Sequence, residues 1–169
     1  MTKTSNDRYK EGYQHWDMVS LGWKYNLSNI QAAMLLPQLA RINENLEKRR
    51  LLFETYCENL SDISSVETFT VKDGTKHAYH LFVIRIKNNF RDEVIQNLLD
   101  EGIEVVVNYR AIHMLSYFRN SFGYKAGDFP IAEGIGDEVI SLPFYPCLEL
   151  EKAQIVCQVL SKTLKGLNK

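Results

Sequence analysis

Residues 28–60 read SNIQAAMLLPQLARINENLEKRRLLFETYCENL, which is the strongest helical pattern in the chain. Ser28 and Gln31 have the spacing of a capping box, in which each side chain accepts a hydrogen bond from the other residue's backbone N–H. Apolar residues then recur at the three- and four-residue spacing of an amphipathic helix. They are Leu35, Leu39, Ile42, Leu46, Phe53 and Leu60. The pattern predicts one long helix over about 28–60, kinked at Pro37, which lacks a backbone donor.

The residues after this helix predict a small, mostly antiparallel sheet. Residues 64–71 and 79–86 have strand composition. Because the Asp73-Gly74 turn separates them, we expect the two strands to pair antiparallel. Residues 103–107 are short and β-branched and predict a third strand. Residues 139–142 form a further brief extended run.

Helices are predicted between and after these strands. Asn89 is the expected N-cap of a helix that Gly102 ends in the C′ position. Short helices are expected near 114–120 and after Pro130, and a final helix over about 149–167. Strands and helices in this order indicate an α+β fold of two layers, with helices covering one face of the sheet.

Composition excludes several classes of protein. The 169 residues are 45% apolar and 24% charged, which is typical of a folded globular chain rather than a disordered or fibrous one. With 20 Lys and Arg against 21 Asp and Glu, the net charge of −1 gives no indication of nucleic-acid or anionic-membrane binding. No apolar run reaches a membrane span, and the polar start lacks a signal peptide, so we expect a cytoplasmic protein. The three scattered cysteines are expected to be reduced thiols that fill the core, and no metal site is predicted.

The first 27 residues have neither a helical nor a strand period. Five large aromatic residues crowd this segment: Tyr9, Tyr13, Trp16, Trp23 and Tyr25. Such residues need a surface to pack against. That surface is either this chain's own core or a partner that the segment covers, and the sequence favours neither.

The loop after the predicted third strand holds one candidate site. Tyr109, Arg110 and His113 together provide a hydroxyl, a fixed cation and a titratable ring, which suit a phosphate or carboxylate ligand. An ordinary polar surface loop is the alternative. His80 is predicted within the central strand, where a core or sheet role is favoured over a catalytic one.

The start of the long helix is a second candidate site. Helix N-termini attract anions through free N–H groups and the helix dipole, so the residues from Asn26 to Asn29 could cradle a phosphate. Helix capping alone explains the same residues equally well.

Read as strings, these stretches resemble the C-terminal part of the DegT/DnrJ/StrS family of sugar aminotransferases, which use pyridoxal phosphate (PLP). Residues 21–33, LGWKYNLSNIQAA, are similar to the family's GYKYN[LM][ST]DIQAA segment. Further matches are Gln38-Leu39, HLFVI at 80–84, the YxPLH-like loop at 109–113, GDFPxAE at 127–133 and SLPFYP at 141–146. Asn29 and Ala111 depart from the family's usual Asp and Pro.

The resemblance implies the small domain of a fold-type-I PLP aminotransferase, over residues 28–169, with 1–27 left from the junction to a large domain. Family members are dimers with sites at the subunit interface. Asn26 is similar to the residue that reaches the PLP phosphate of the neighbouring subunit. Tyr109, His113 and Lys24 are the implied substrate-binding residues for a sugar nucleotide.

The family's Schiff-base Lys lies in the large domain, before a GEGG-type segment, and the 169 residues contain no such segment. Lys24 occupies a different position in the family pattern. We therefore expect no catalytic residue in this chain, no tight PLP binding and no amino transfer by this chain alone. The complete enzyme would aminate a keto-sugar nucleotide, typically from glutamate, for polysaccharide or amino-sugar biosynthesis. The alternative is a non-catalytic module that dimerises with, or complements, a separate large-domain polypeptide.

Overall fold

The computed structural model describes Trp23 and residues 25–167. The chain divides into two compact units, residues 1–39 and residues 40–169. The aromatic residues Tyr9, Tyr13 and Trp16 lie outside the described residues. Trp23 and Tyr25 are described, and both side chains are largely exposed.

The first helix, α1 (Asn29–Ala40), begins with the predicted capping box. The Ser28 N–H donates to Gln31 Oε1 over 3.1 Å, and the Gln31 N–H donates to Ser28 Oγ over 3.2 Å. Pro37 lies inside this helix, and no residue of the helix is buried. The capping prediction is therefore confirmed, and its two donors are satisfied locally.

The helix predicted over 28–60 is present as two helices, with the interruption at residue 41 and not at Pro37. A turn residue, Arg41, separates α1 from α2 (Ile42–Leu60), and its backbone has φ −100° and ψ 7°. The Asn45 N–H donates to the Arg41 carbonyl over 2.9 Å as helical bonding resumes. Because only one residue interrupts the helix, the apolar spacing continues across the break, and periodicity alone does not reveal it.

The sheet has three antiparallel strands in the described residues, in the order β1 (Val66–Thr68), β2 (Phe82–Ile86) and β3 (Val139–Leu142). Val66 pairs with Ile86, and Phe82 pairs with Leu142. The antiparallel pair and the turn at Asp73-Gly74 are confirmed. The strands are shorter than predicted.

Two strand predictions need correction. His80 is exposed and precedes β2, so it is not a residue of the central strand. Residues 103–107 contribute only an isolated bridge between Val106 and Ser141. The third strand is β3 instead, because residues 139–142 pair with β2 along their whole length.

Three of the remaining helices are α3 (Arg91–Asp100), α4 (Ser116–Phe122) and α5 (Pro130–Glu138), with a 3₁₀ turn at Ile112–Met114 before α4. The last helix is α6 (Leu150–Leu167). Asn89 does not cap α3, because Phe90 holds the N-cap position without a side-chain hydrogen bond. Gly102 ends α3 as predicted, with φ +75° and a 2.9 Å hydrogen bond from its N–H to the Leu99 carbonyl.

The core lies between the sheet and a layer formed by α2, α3 and α6. Leu52, Tyr56 and Leu60 of α2 are spaced four residues apart and are buried. Tyr56 stacks on Phe82 with ring centroids 4.6 Å apart, and its hydroxyl donates to the Pro143 carbonyl over 2.9 Å. Burying each such side chain contributes about 1.5–3 kcal/mol to folding. The predicted stripe is only partly correct, because Leu60 is buried and other members, including Leu35 and Leu39, are exposed.

The opposite face of the sheet carries a charge cluster. Because side chains alternate along a strand, Arg85 points away from the core that Ile84 and Ile86 fill. Its Nη2 lies 2.6 Å from Glu138 Oε2 on α5, and its Nη1 lies 3.2 Å from Glu67 Oε2 on β1. This cluster ties the C-terminal end of α5 to the sheet.

The thiols behave only partly as core filler. Cys157 is buried in α6, and desolvation there raises the pKa of its thiol to about 12. Cys57 is half-buried, whereas Cys147 is exposed. All three cysteines are free thiols.

Candidate functional site

The candidate site is an open pocket beside the 3₁₀ turn at Ile112–Met114. Its volume is about 580 Å³, and its walls come from the 109–113 loop, α4, α5 and the loop between those two helices. The predicted residues Tyr109, Arg110 and His113 all line it. The structure therefore brings these three together, as the loop pattern suggested.

His113 is the most buried of the three, with 6% of its surface exposed. Its Nε2 lies 2.8 Å from Oε1 of Glu133, in the first turn of α5. Rings enclose it on other sides, with Phe129 at 4.8 Å and Tyr124 at 6.3 Å between centroids. His113 is thus held by one polar contact within an aromatic wall.

Glu133 accepts hydrogen bonds from two backbone N–H groups in addition to its contact with His113. Both of its carboxylate oxygens accept from the Gly127 N–H over 2.9 Å, and Oε1 also accepts from the Phe129 N–H over 3.2 Å. These donors stabilise the ionised form, so the Gly127 N–H, then His113 and Phe129, lower the pKa of Glu133 below its ordinary value. The carboxylate joins the 123–129 loop to α5 and to His113.

Tyr109 and Arg110 stand at the mouth of the pocket. Tyr109 is 72% exposed and also borders a second pocket of about 300 Å³, next to Phe53, Phe69 and His77. Asn108 anchors the start of the loop, because its side-chain amide donates to Ser141 Oγ of β3 over 3.1 Å. Arg110 is exposed and makes no hydrogen bond or ion pair within the described residues. An accessible cation and phenol therefore flank the buried imidazole.

Close backbone packing fixes the far side of the pocket. Gly136 of α5 is buried, and a Cβ built there would lie 2.7 Å from the Ala111 backbone nitrogen. Only glycine lets the helix approach the 109–111 segment this closely. The loop is thus held by a helix as well as by hydrogen bonds.

Asn26 belongs to the first unit and is described there on its own. Its side chain is exposed and lies two residues before the Ser28 cap of α1. The exposed amide provides a donor that fits a phosphate oxygen, although Ser28 and Gln31 already use two of the nearby N–H groups. Lys24 lies outside the described residues.

Glu133, Tyr124 and Phe129 are the site residues that reasoning from spacing alone did not find. Glu133 and Phe129 fall within the GDFPxAE string at 127–133, so that signature was the available signal. In the described part of the chain, no three His, Cys, Asp or Glu side chains lie together as metal ligands would. None of the described helices is both long and apolar enough to cross a membrane.

The sequence profile of the DegT/DnrJ/EryC1/StrS aminotransferase family matches residues 1–161. The chain belongs to this family. Among curated DegT/DnrJ/EryC1/StrS relatives, it is 31% identical to the spore coat polysaccharide biosynthesis protein SpsC of Bacillus subtilis, over 98% of this chain and 44% of SpsC. It is 29% identical to the UDP-4-amino-4,6-dideoxy-N-acetyl-beta-L-altrosamine transaminase of Campylobacter jejuni, over 90% of this chain and 41% of that protein.

Solved structures agree with this membership. PseC of Helicobacter pylori, an aminotransferase involved in the biosynthesis of pseudoaminic acid, superposes with a TM-score of 0.80 at 25% identity. The match covers 89% of this chain and 41% of PseC. The chain therefore has the α+β fold of a DegT/DnrJ/EryC1/StrS small domain, and it spans about two-fifths of the length of the curated relatives it matches.

Proposed function

We propose that this chain is the C-terminal, small-domain portion of a PLP-dependent aminotransferase that acts on keto-sugar nucleotides. The observation that carries the proposal is the family match over residues 1–161. Two relatives support the substrate class, because their names specify a UDP-sugar transaminase and a polysaccharide biosynthesis protein. Glutamate is the proposed amino donor. The proposed role of the enzyme is amino-sugar or polysaccharide biosynthesis in the cytoplasm.

Within that enzyme, residues 28–169 are the proposed small domain and residues 1–27 the junction to the large domain. PLP, when bound, would supply the electron sink for amino transfer. Asn26, whose amide is exposed, would donate to the cofactor phosphate in a neighbouring subunit. Tyr109 and His113 would line the sugar-nucleotide pocket, and Lys24 would contact the substrate.

The chain alone is proposed to be inactive, because the family's Schiff-base Lys belongs to the large domain. Its partner would be a second complete subunit or a separate large-domain polypeptide. The exposed apolar surface of α1 supports a partner of either kind, since no residue of that helix is buried.

Spectroscopy with PLP tests these proposals. The purified chain is mixed with PLP, alone and together with the N-terminal part of Bacillus subtilis SpsC that precedes the matched region. We expect visible cofactor absorbance and transamination only in the mixture. Absorbance from this chain alone that disappears in Lys24→Ala would contradict the assignment of the catalytic Lys to the large domain.

Variants of the mixture test the proposed cofactor contact. Losing a hydrogen bond to a charged group costs about 1.5–3 kcal/mol, so Asn26→Ala should weaken PLP binding about 10- to 100-fold. The matched control is Asn43→Ala on the exposed surface of α2, which should bind PLP like the unmodified chain. Equal binding by both variants would remove Asn26 from the cofactor site.

A further inference from the structure

The contact between His113 and Glu133 determines which nitrogen of the imidazole carries the proton. Nε2 lies 2.8 Å from Oε1 of Glu133. An ionised carboxylate can only accept hydrogen bonds, so Nε2 must be the donor. In the neutral ring, Nδ1 is then unprotonated and can only accept.

The carboxylate itself has little freedom to change this arrangement. The Gly127 N–H donates to both oxygens over 2.9 Å, and the Phe129 N–H donates to Oε1 over 3.2 Å. Gly127 has φ +92°, which a side chain would strain, so this N–H is directed by a backbone conformation that favours glycine. Backbone N–H groups only donate, so each of these contacts keeps Glu133 an acceptor.

The other nitrogen of His113 is available to a ligand. The ring lines the pocket, and within the described residues its one hydrogen bond is to Glu133. Phe129 and Tyr124 contact the ring through their aromatic faces and edges and do not hydrogen-bond to it. Nδ1 is therefore the His113 ring nitrogen left for a ligand in this pocket, which Arg110 also lines.

We propose that Glu133 is a positioning residue that holds His113 as the Nε2–H tautomer, so that Nδ1 accepts a hydrogen bond from a sugar hydroxyl or acetamido N–H. The inference rests on the proposed function for its ligand class, and it changes the chemistry first expected of His113. A neutral imidazole has one N–H, and in His113 this N–H already donates to Glu133, so the ring cannot also donate to a phosphate oxygen. The anionic part of a sugar nucleotide would instead pair with Arg110 at the mouth of the pocket.

The tautomer is measured by ¹⁵N NMR of the histidine rings at neutral pH, on the 169-residue chain without ligand. We expect protonated Nε2 and unprotonated Nδ1 for His113. In Glu133→Ala no acceptor faces Nε2, so the fraction of molecules with the proton on Nδ1 should rise. Glu151→Ala, an exposed position on α6, is the control and should leave the ring signals unchanged.

Two results would overturn the positioning role: protonated Nδ1 in the unmodified chain, or the same tautomer ratio in Glu133→Ala as in the unmodified chain. The measurement on the unmodified chain needs no variant, so it decides the tautomer even where Glu133→Ala fails to fold. It also needs no large domain. Failure to reconstitute transamination with SpsC would therefore overturn the proposed function and leave the tautomer result standing.

The proposed hydrogen bond from the ligand to Nδ1 is tested by titrating the chain with UDP-N-acetylglucosamine, with UDP and with inorganic phosphate. The same ¹⁵N ring signals are followed in each titration. We expect only the sugar nucleotide to shift Nδ1, and Glu133→Ala to weaken its binding about 2- to 10-fold. A shift produced equally by UDP or phosphate would assign His113 to the anion instead. The absence of any shift with the sugar nucleotide would reject the acceptor role.

Discussion

Among single residues, Glu133 connects the most parts of the site. Its carboxylate accepts from the Gly127 and Phe129 backbone N–H groups and from His113. All three contacts favour the ionised form, which is why they lower the pKa of the carboxyl. The contribution of Glu133 to stability must therefore depend on pH.

Replacing Glu133 by Gln should make this dependence visible. The folded-state pKa lies below the unfolded value of about 4.5, so the stabilisation is fully present above that pH. It is lost as the pH falls through the lower, folded-state pKa. Urea unfolding should show Glu133→Gln less stable than the unmodified chain at pH 7, with a gap that narrows below pH about 4.5. A constant gap across this range would contradict the assigned contacts, and Glu151→Gln is the matched control.

The loop position of His113 was predictable from sequence, and its burial and its partner were not. Twenty residues separate His113 from Glu133, and the contact forms only because α5 begins at Pro130 and packs on the 109–111 segment. No local spacing rule connects residues across such a distance. Pairing of this kind follows from tertiary packing, which Gly136 makes possible.

Among the elements, α5 carries a direct test of that packing. Gly136→Ala adds a methyl 2.7 Å from a backbone atom, the Ala111 nitrogen, and should destabilise the chain by about 1–3 kcal/mol. Gly134→Ala, on the same helix, meets nothing within 4 Å and should stabilise it by up to about 1 kcal/mol. Thermal unfolding of both variants measures the difference. Stabilisation by both substitutions would show that α5 can move away from the loop.

Element prediction succeeded where the determinants are local and failed where they are not. The Ser28 capping box, the turn at Asp73-Gly74 and the stop at Gly102 depend on neighbouring residues, and the structure contains each of them. Residues 103–107 have strand composition but form only the Val106–Ser141 bridge. A strand requires a ladder of backbone hydrogen bonds, and among the described residues this stretch makes them to β3 only at Val106.

For the whole molecule, the main observation is the unburied surface of α1. This helix is apolar on nearly every side, and a helix with that composition is usually covered. Its exposed large side chains are Ile30, Met34, Leu35, Leu36 and Leu39. In the relatives, about three-fifths of the protein lies outside the matched region. When the chain is isolated, this exposed apolar surface should associate with the apolar surface of another copy.

We therefore expect the purified chain to self-associate. Sedimentation velocity should show the average mass increasing with concentration, because apolar side chains on α1 leave water on contact. Met34→Lys combined with Leu36→Lys should shift the distribution towards monomer. Gln38→Lys adds a charge to the same helix at a polar position and serves as the control. A monomer at all concentrations in the unmodified chain would contradict this expectation.

The division of the chain between residues 39 and 40 places both tryptophans in one unit. Both tryptophans, Trp16 and Trp23, belong to the first unit, and the second unit has none. Indole emission therefore reports on residues 1–39 alone. Far-UV circular dichroism is dominated by residues 40–169, which contain five of the six described α-helices. Following both signals in one denaturant titration resolves whether the two units unfold together or one after the other.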